Sequence, residues 1–288
     1  MDEKKLAKQL RRITIITIIG SLLLSAIGFG IFGYIMKSAH EAEHAQLQAE
    51  TAEYKERLLR QMDKNLQILT TLSKAYEVST ITDDPRQLGQ SLMETNAAND
   101  FVSMVYMRKD GTGLMHTTES GEVEAITMDD LHPYAVEVIE SALQGKNTIS
   151  KIFRSQALDE KIFVYAVPVF ENGEVVGALA AGDTINIFTD ATDVKTVMGG
   201  AGYLHLIADN GMFLVRSENT LVDEEMKNLY EGDVFSEQTK EEMRAALEKG
   251  ESVCGEYTYE GNRMHFYLVP LDVNGWYLFC ANKVGGLP

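Results

Sequence analysis

Cysteine is nearly missing from this chain: Cys254 and Cys280 are the two in 288 residues. That excludes a disulfide framework and any cysteine spacing suited to a metal. Positive charge is also scarce. Lys and Arg number 26 against 43 Asp and Glu, a net of −17. Beyond residue 37 the balance is 20 against 41, a net of −21. A chain of that sign lacks the basic footprint of nucleic-acid recognition, so no nucleic-acid partner is expected. A glycine-rich phosphate loop is absent, and no serine sits in a nucleophile elbow. Two further absences are structural. Residues 13–36 carry no charge, and residues 38–80 contain neither proline nor glycine.

What fills the first gap is "ITIITIIGSLLLSAIGFGIFGYIM". As a helix it is roughly 36 Å long, enough to cross a hydrocarbon core of about 30 Å. The apolar region of a cleaved signal peptide is shorter. We therefore expect an uncleaved transmembrane helix over 13–36 and a membrane partner. Lys4, Lys5, Lys8, Arg11 and Arg12 precede it, which predicts a cytoplasmic N-terminus over 1–12 and an extracytoplasmic 38–288.

The second gap is rich in Ala, Glu, Gln, Leu and Lys, all good helix formers. It predicts a stalk helix over 37–80, about 60 Å long. Leu59, Met62, Leu66, Leu69 and Leu72 recur at three- and four-residue steps. This stripe suits either a dimer seam or packing against the chain's own domains. The same segment holds "HEAEH", His40 to His44. It fits the H-E-x-x-H pattern, in which two histidines one turn apart bind zinc and the glutamate activates water. Such a site also needs a third ligand and a shaped cleft. On a juxtamembrane Ala/Glu/Gln-rich helix the simpler expectation is a solvated face, with no metal site and no cofactor. A membrane-tethered zinc hydrolase using His40, Glu41 and His44 is the alternative from another class.

The rest of the chain repeats. "YAVPVFENG" (165–173) returns as "YLVPLDVNG" (267–275), and "FVSMVYMRKDGTGLMHTT" is answered by "YLHLIADNGMFLVRS". "VIESALQGKNT" is mirrored by "EEMRAALEKGES", and the offset drifts only from 100 to 102 residues. Hairpin, helix, strand, hairpin therefore occurs twice in the same order. Asp84 before Pro85 marks a helix start, and Asn172-Gly173 marks a hairpin turn. The expected class is α+β: two tandem modules, each a five-stranded antiparallel sheet with flanking helices. We set them at 81–198 and 199–284. Pro168 and Pro270 belong at a strand end or bulge. Cys254 and Cys280 fall in the third and fifth strands of the second module, separated by the fourth.

These features resemble the double Cache family of extracytoplasmic sensor domains, built from tandem PAS-like modules. The span, the long helix, "PVFENGEVVGALAAGD" and the closing "NGWYLFCANK" carry the resemblance over roughly 38–283. It implies a membrane-distal first module that binds a small ligand, an amino acid, organic acid, amine or similar. It also implies a homodimer, and an output domain beyond a second span. The style is closest to sensors preceding diguanylate cyclases, with histidine kinases and chemoreceptors as other candidates. The chain stops at Pro288 with no such span, so 285–288 is expected to be a truncated end. Amino-acid-binding members carry an Arg-x-Trp-Tyr stretch, where this chain has Leu131, His132, Pro133 and Tyr134. The family's strand tyrosine and terminal aspartate match Tyr165 and Asp183.

The ligand pocket is expected between the first sheet and the loops around its helix. Tyr106, Arg108, Tyr134, Arg154, Tyr165 and Asp183 are the candidate ligand-binding residues. Asp183 ends an apolar strand, where a carboxylate should meet a polar partner or a ligand amine. It could instead cap the following helix. No catalytic residue is expected in this chain. An anchored binding protein without an output domain is the remaining possibility.

Overall fold

The computed structural model describes residues 3–77, 84–99, 101–190, 202–216 and 226–284. It divides into two compact units, 1–48 and 49–288. The expected boundaries at 80/81 and 198/199, and the expected truncated end, lie outside the described residues.

The first unit is helical from Glu3, as part of α1 (Glu3–Glu77). Leu24, Phe29 and Tyr34 are more than 70% exposed. This helix is long and apolar enough to cross a membrane.

The second unit holds two antiparallel sheets with one topology. The first contains β1 (Ser103–Arg108), β2 (Thr112–Thr117), β3 (Val123–Thr127), β4 (Thr148–Ile149), β5 (Phe153–Arg154), β6 (Lys161–Glu171) and β7 (Glu174–Thr184). Its order is β3-β2-β1-β7-β6-β4, with β5 also on β6. The second contains β8 (Gly202–Ile207), β9 (Phe213–Val215), β10 (Val253–Tyr259), β11 (Asn262–Pro270) and β12 (Tyr277–Lys283), ordered β10-β11-β12-β8-β9. In both, the last strand lies between the first and the next-to-last, so the repeated sequence becomes a repeated fold.

The first sheet is larger than five strands. β3 is an added edge strand, and "TISKIFRS" splits into β4 and β5. Ser150 sits at the break, buried, its hydroxyl accepting from Val164 N at 2.8 Å. The β6–β7 turn has Asn172 at φ 50° and Gly173 at φ 82°, the double positive φ of a type I′ hairpin. Pro168 lies just before a register shift at Val169/Phe170, and Pro270 ends β11. Cys254 and Cys280 are free and separated by Tyr267 of β11.

Helices cover both faces of the first sheet. α2 (Pro85–Asn99) begins where Asp84 accepts from Arg86 N at 2.9 Å, and packs on β1 and β2. α3 (Pro133–Leu143) packs on β6 and β7 from the other side. There Val138, Ile139 and Ala142 meet Val105, Val164 and Ala180 in one apolar core. A short α4 (Asn186–Asp190) follows β7. In the second module α5 (Glu237–Lys249), capped by Ser236 and ended by a left-handed Gly250, packs over Phe266, Tyr277 and Phe279.

α1 buries Thr51, Tyr54, Leu58, Met62, Asn65, Leu69, Ser73 and Tyr76 in this unit. Of the expected stripe, Met62 and Leu69 are buried, while Leu59, Leu66 and Leu72 are half-exposed. The seam is rotated because the sheets accept hydroxyls, an amide and tyrosines at positions that an apolar count skips.

Candidate ligand-binding site

Side chains alternate across a strand, and that alternation creates two different surfaces on the first sheet. Ser103 and Val105 of β1, Ile162 and Val164 of β6, and Ala180 and Gly182 of β7 face α3. Met104 and Tyr106, Phe163 and Tyr165, and Ala181 and Asp183 face α1 and α2.

On the α3 side a cavity of about 250 Å³ opens between the sheet, the start of α3 and the segment after β5. Its floor is Ser103, Val105, Ile162, Val164, Ala180 and Gly182. Asp129, Asp130 and His132 close one side, and Phe153 with Ser155 to Leu158 the other. The side chains follow from local structure. A 3-10 turn, Met128–Asp130, ends β3, and the Asp130 carboxylate accepts from Thr127 N at 2.7 Å and Thr127 Oγ1 at 2.8 Å. Those two hydrogen bonds hold its carboxyl below the usual range, so it is ionised. His132 caps α3: its Nδ1 accepts from Tyr134 N at 3.2 Å, and its ring stacks on Phe153 at 4.1 Å. Gly182 lacks a Cβ where the Ser103 side chain lies across it.

The opposite surface is a polar link to α1. Asn65 is 7% exposed; its amide donates to Asp183 Oδ2 at 2.9 Å and to Tyr165 Oη at 3.3 Å. Burial first, and the Asp183 charge second, push the Tyr165 hydroxyl well above the usual tyrosine range. It therefore stays protonated and can donate. A more open cleft of about 650 Å³ borders this link, lined by Lys64, Asn65, Asn99, Asp183 and Asn186 among others.

The six candidate residues are not brought together. Tyr165 and Asp183 meet through Asn65, and Tyr106 lies on the same surface with its ring 6.2 Å from Tyr76 of α1. Arg108 ends β1 and is half-exposed. Tyr134 is on the outer side of α3, 37% exposed. Arg154 is exposed and paired with Asp159 at 2.8 Å. None of the six lines the α3-side cavity, contrary to the expectation of one shared pocket. Strand period two sends even positions of β1 and odd positions of β6 and β7 to the α1 surface. The Thr184 hydroxyl accepts from Asn186 N at the start of α4.

Most of the cavity floor went unnoticed in the sequence because its residues are small or apolar, and Asp129, Asp130 and His132 carried no signal that joined them to it. The signal for Ser103 and Gly182 was their position in alternating strands. His40 and His44 stand one turn apart on α1, their rings edge to face at 4.8 Å.

The family model described as Cache domain matches residues 35–284. No curated relative matches the chain. Among solved structures, it is similar to the sensory domain of the Campylobacter jejuni chemoreceptor Tlp3. The TM-score is 0.66 at 10% identity, covering 86% of this chain and 96% of that one. The extracellular domain of a candidate histidine kinase, soHK1S-Z6, aligns at TM-score 0.62 and 15% identity, covering 86% and 96%. The ligand-binding domain of the Pseudomonas aeruginosa amino acid chemoreceptor PctB aligns at 0.58 and 18%, covering 82% and 93%.

Proposed function

Because the chain belongs to the Cache domain family, in its double form, we propose that it is the extracytoplasmic sensing region of a bacterial transmembrane receptor. A small molecule binds in the first module. The signal crosses the membrane to an output domain such as a diguanylate cyclase, a histidine kinase or a chemoreceptor domain. The Tlp3 domain with isoleucine bound and the PctB domain with L-Arg support a small-molecule ligand here. The apolar, uncharged 13–36 segment behind a basic N-terminus supports a membrane anchor with 1–12 in the cytoplasm. Modules at 81–198 and 199–284, and a homodimer that lets paired output domains read the shift, complete the proposal.

The observation that carries this reading is the α3-side cavity. It lies against β1, β6 and β7, and the reverse faces of β6 and β7 hold α1 through Tyr165, Asp183 and Asn65. A ligand that binds one arrangement of those strands better than another shifts the balance between them. The same strands pass the shift to α1.

The test is ligand-induced thermal stabilisation of the full chain in detergent, screened against amino acids, organic acids, amines and nucleobases. A bound compound at a hundred times its Kd stabilises by about 2.7 kcal/mol. Gly182→Ala puts a methyl against the Ser103 hydroxyl on the cavity floor. It should abolish the shift and leave the melting temperature of the unliganded chain within a few degrees. A hit that stabilises Gly182→Ala as strongly as the parent would remove the cavity from the proposal.

A further inference from the structure

The cavity also carries information about the class of its ligand, an inference that rests on its being the binding site. Its residues divide by chemistry. The floor and far wall are apolar, with Val105, Ile139, Ile162 and Val164 among them. The formal charges in the lining are carboxylates, Asp129 and Asp130, both on exposed residues and so at the solvent end. The lining contains no lysine or arginine. Arg154 and Lys151, close to the lining in sequence, are engaged elsewhere: Arg154 pairs with Asp159 at 2.8 Å, and Lys151 lies over the Tyr134 ring at 5.9 Å. Asp130 has its Oδ2 occupied by Thr127. Among the described residues Asp129 shows no such turn contact, and it lines the cavity at its solvent end.

Two further observations point to a polar-headed molecule. Ser103, 8% exposed, lines the cavity with its hydroxyl lying over Gly182. A hydroxyl there can donate to or accept from a ligand's polar atom. Phe153 presents an aromatic wall backed by the stacked His132, a surface that attracts a cation placed over it. The volume of about 250 Å³ is just under the range of about 300–1,000 Å³ typical of drug-sized ligands. It therefore suits a small metabolite.

We infer that the cavity takes a small organic amine: a positively charged nitrogen head at Asp129 on a compact apolar body, with no carboxylate. A ligand carboxylate would enter a wall that offers two like charges and no basic side chain, a desolvation without compensation. The acidic surface of the whole exported region favours the same sign of ligand at longer range.

Four probes sharing one isobutyl body separate the possibilities: isoamylamine, leucine, 4-methylpentanoate and isoamyl alcohol. Their affinities are measured calorimetrically on the full chain in detergent. The amine should bind at least tenfold more tightly than the alcohol or leucine, and 4-methylpentanoate should not bind. Asp129→Asn, a change at an exposed position, should bring the amine's affinity to within a few-fold of the alcohol's. The alcohol's own affinity should change far less than the amine's. Leucine or 4-methylpentanoate binding as tightly as the amine overturns the amine class. So does Asp129→Asn retaining the full preference. If those ligands are nonetheless lost in Gly182→Ala, the cavity stands as the site. Binding by none of the four, or amine binding that is unaffected by Gly182→Ala, overturns the cavity reading and the ligand class together.

Discussion

His205 shows how a single residue can set the response of this fold to acid. It is fully buried in β8, its ring edge-on to Phe213 at 5.3 Å and stacked on Phe279 at 6.0 Å. Burial, with the Arg216 charge adding to it, pushes its pKa down to about 3. In the unfolded chain a histidine titrates near 6.5. The folded form therefore holds the ring neutral, while the unfolded chain takes up a proton below about 6.5. The stabilisation is complete above that pH and is lost progressively as the pH falls toward 3. We expect His205→Phe to lose less stability than the parent between pH 7 and pH 4 in urea melts at each pH. Parallel losses in the two proteins would show that His205 does not set the acid response. The buried thiol, Cys280, is pushed in the opposite direction, up to about 12 by burial, and is correspondingly inert.

At the scale of elements, the join between α1 and the first sheet is polar where the sequence suggested an apolar seam. Asn65 donates to a neutral phenol and to a carboxylate, and hydrogen bonds to charged groups are worth about 1.5–3 kcal/mol. Asn65→Ala should destabilise the chain by about 1–3 kcal/mol, and most of that loss should vanish in an Asp183→Ala background. Denaturant titration of the four proteins measures the coupling. A value near zero would mean that α1 is held by its apolar contacts alone. This join also marks the limit of what the sequence discloses. The duplicated hairpins, the Asp84-Pro85 helix start and the order of elements along the chain were legible, because turn residues and period-two strands are local signals. β3 was not, since "VEAIT" is short and exposed except at Val123 and Ile126. Tyr165 and Asp183 could be picked out singly as strand polar groups. Their meeting through Asn65, 100 and 118 residues away, is a tertiary fact without a local trace. The cavity was hidden for the same reason. Its position between the sheet and the helix loops followed from the module order, but which residues line it depended on which strand face turns toward α3.

Across the whole 49–288 unit, the two modules are joined through Trp276. It is 2% exposed and belongs to the second module, yet its ring meets Phe163 at 6.0 Å and Phe188 at 5.7 Å, both in the first. Asn274, two residues earlier, donates to the Ile149 and Ser150 carbonyls at 3.0 and 2.8 Å. Lys161 returns a bond to the Leu214 carbonyl at 3.1 Å. Phe163 is on β6, whose neighbouring residues Ile162 and Val164 form the cavity floor. Trp276 immediately precedes β12, the central strand of the second sheet. A displacement at the cavity therefore has two routes out: α1 through Asn65, and β12 through Trp276. Trp276→Ala should cost about 3–5 kcal/mol, as large aromatic truncations in cores do. Because the lost contacts lie between modules, we expect one cooperative calorimetric transition in the parent and two in the variant. A first-module ligand should then raise only one of the two. Hydrogen exchange supplies the local readout: in the parent, ligand should slow exchange in β12, and in Trp276→Ala it should not. Ligand protection of β12 that survives the substitution would confine the signal to α1.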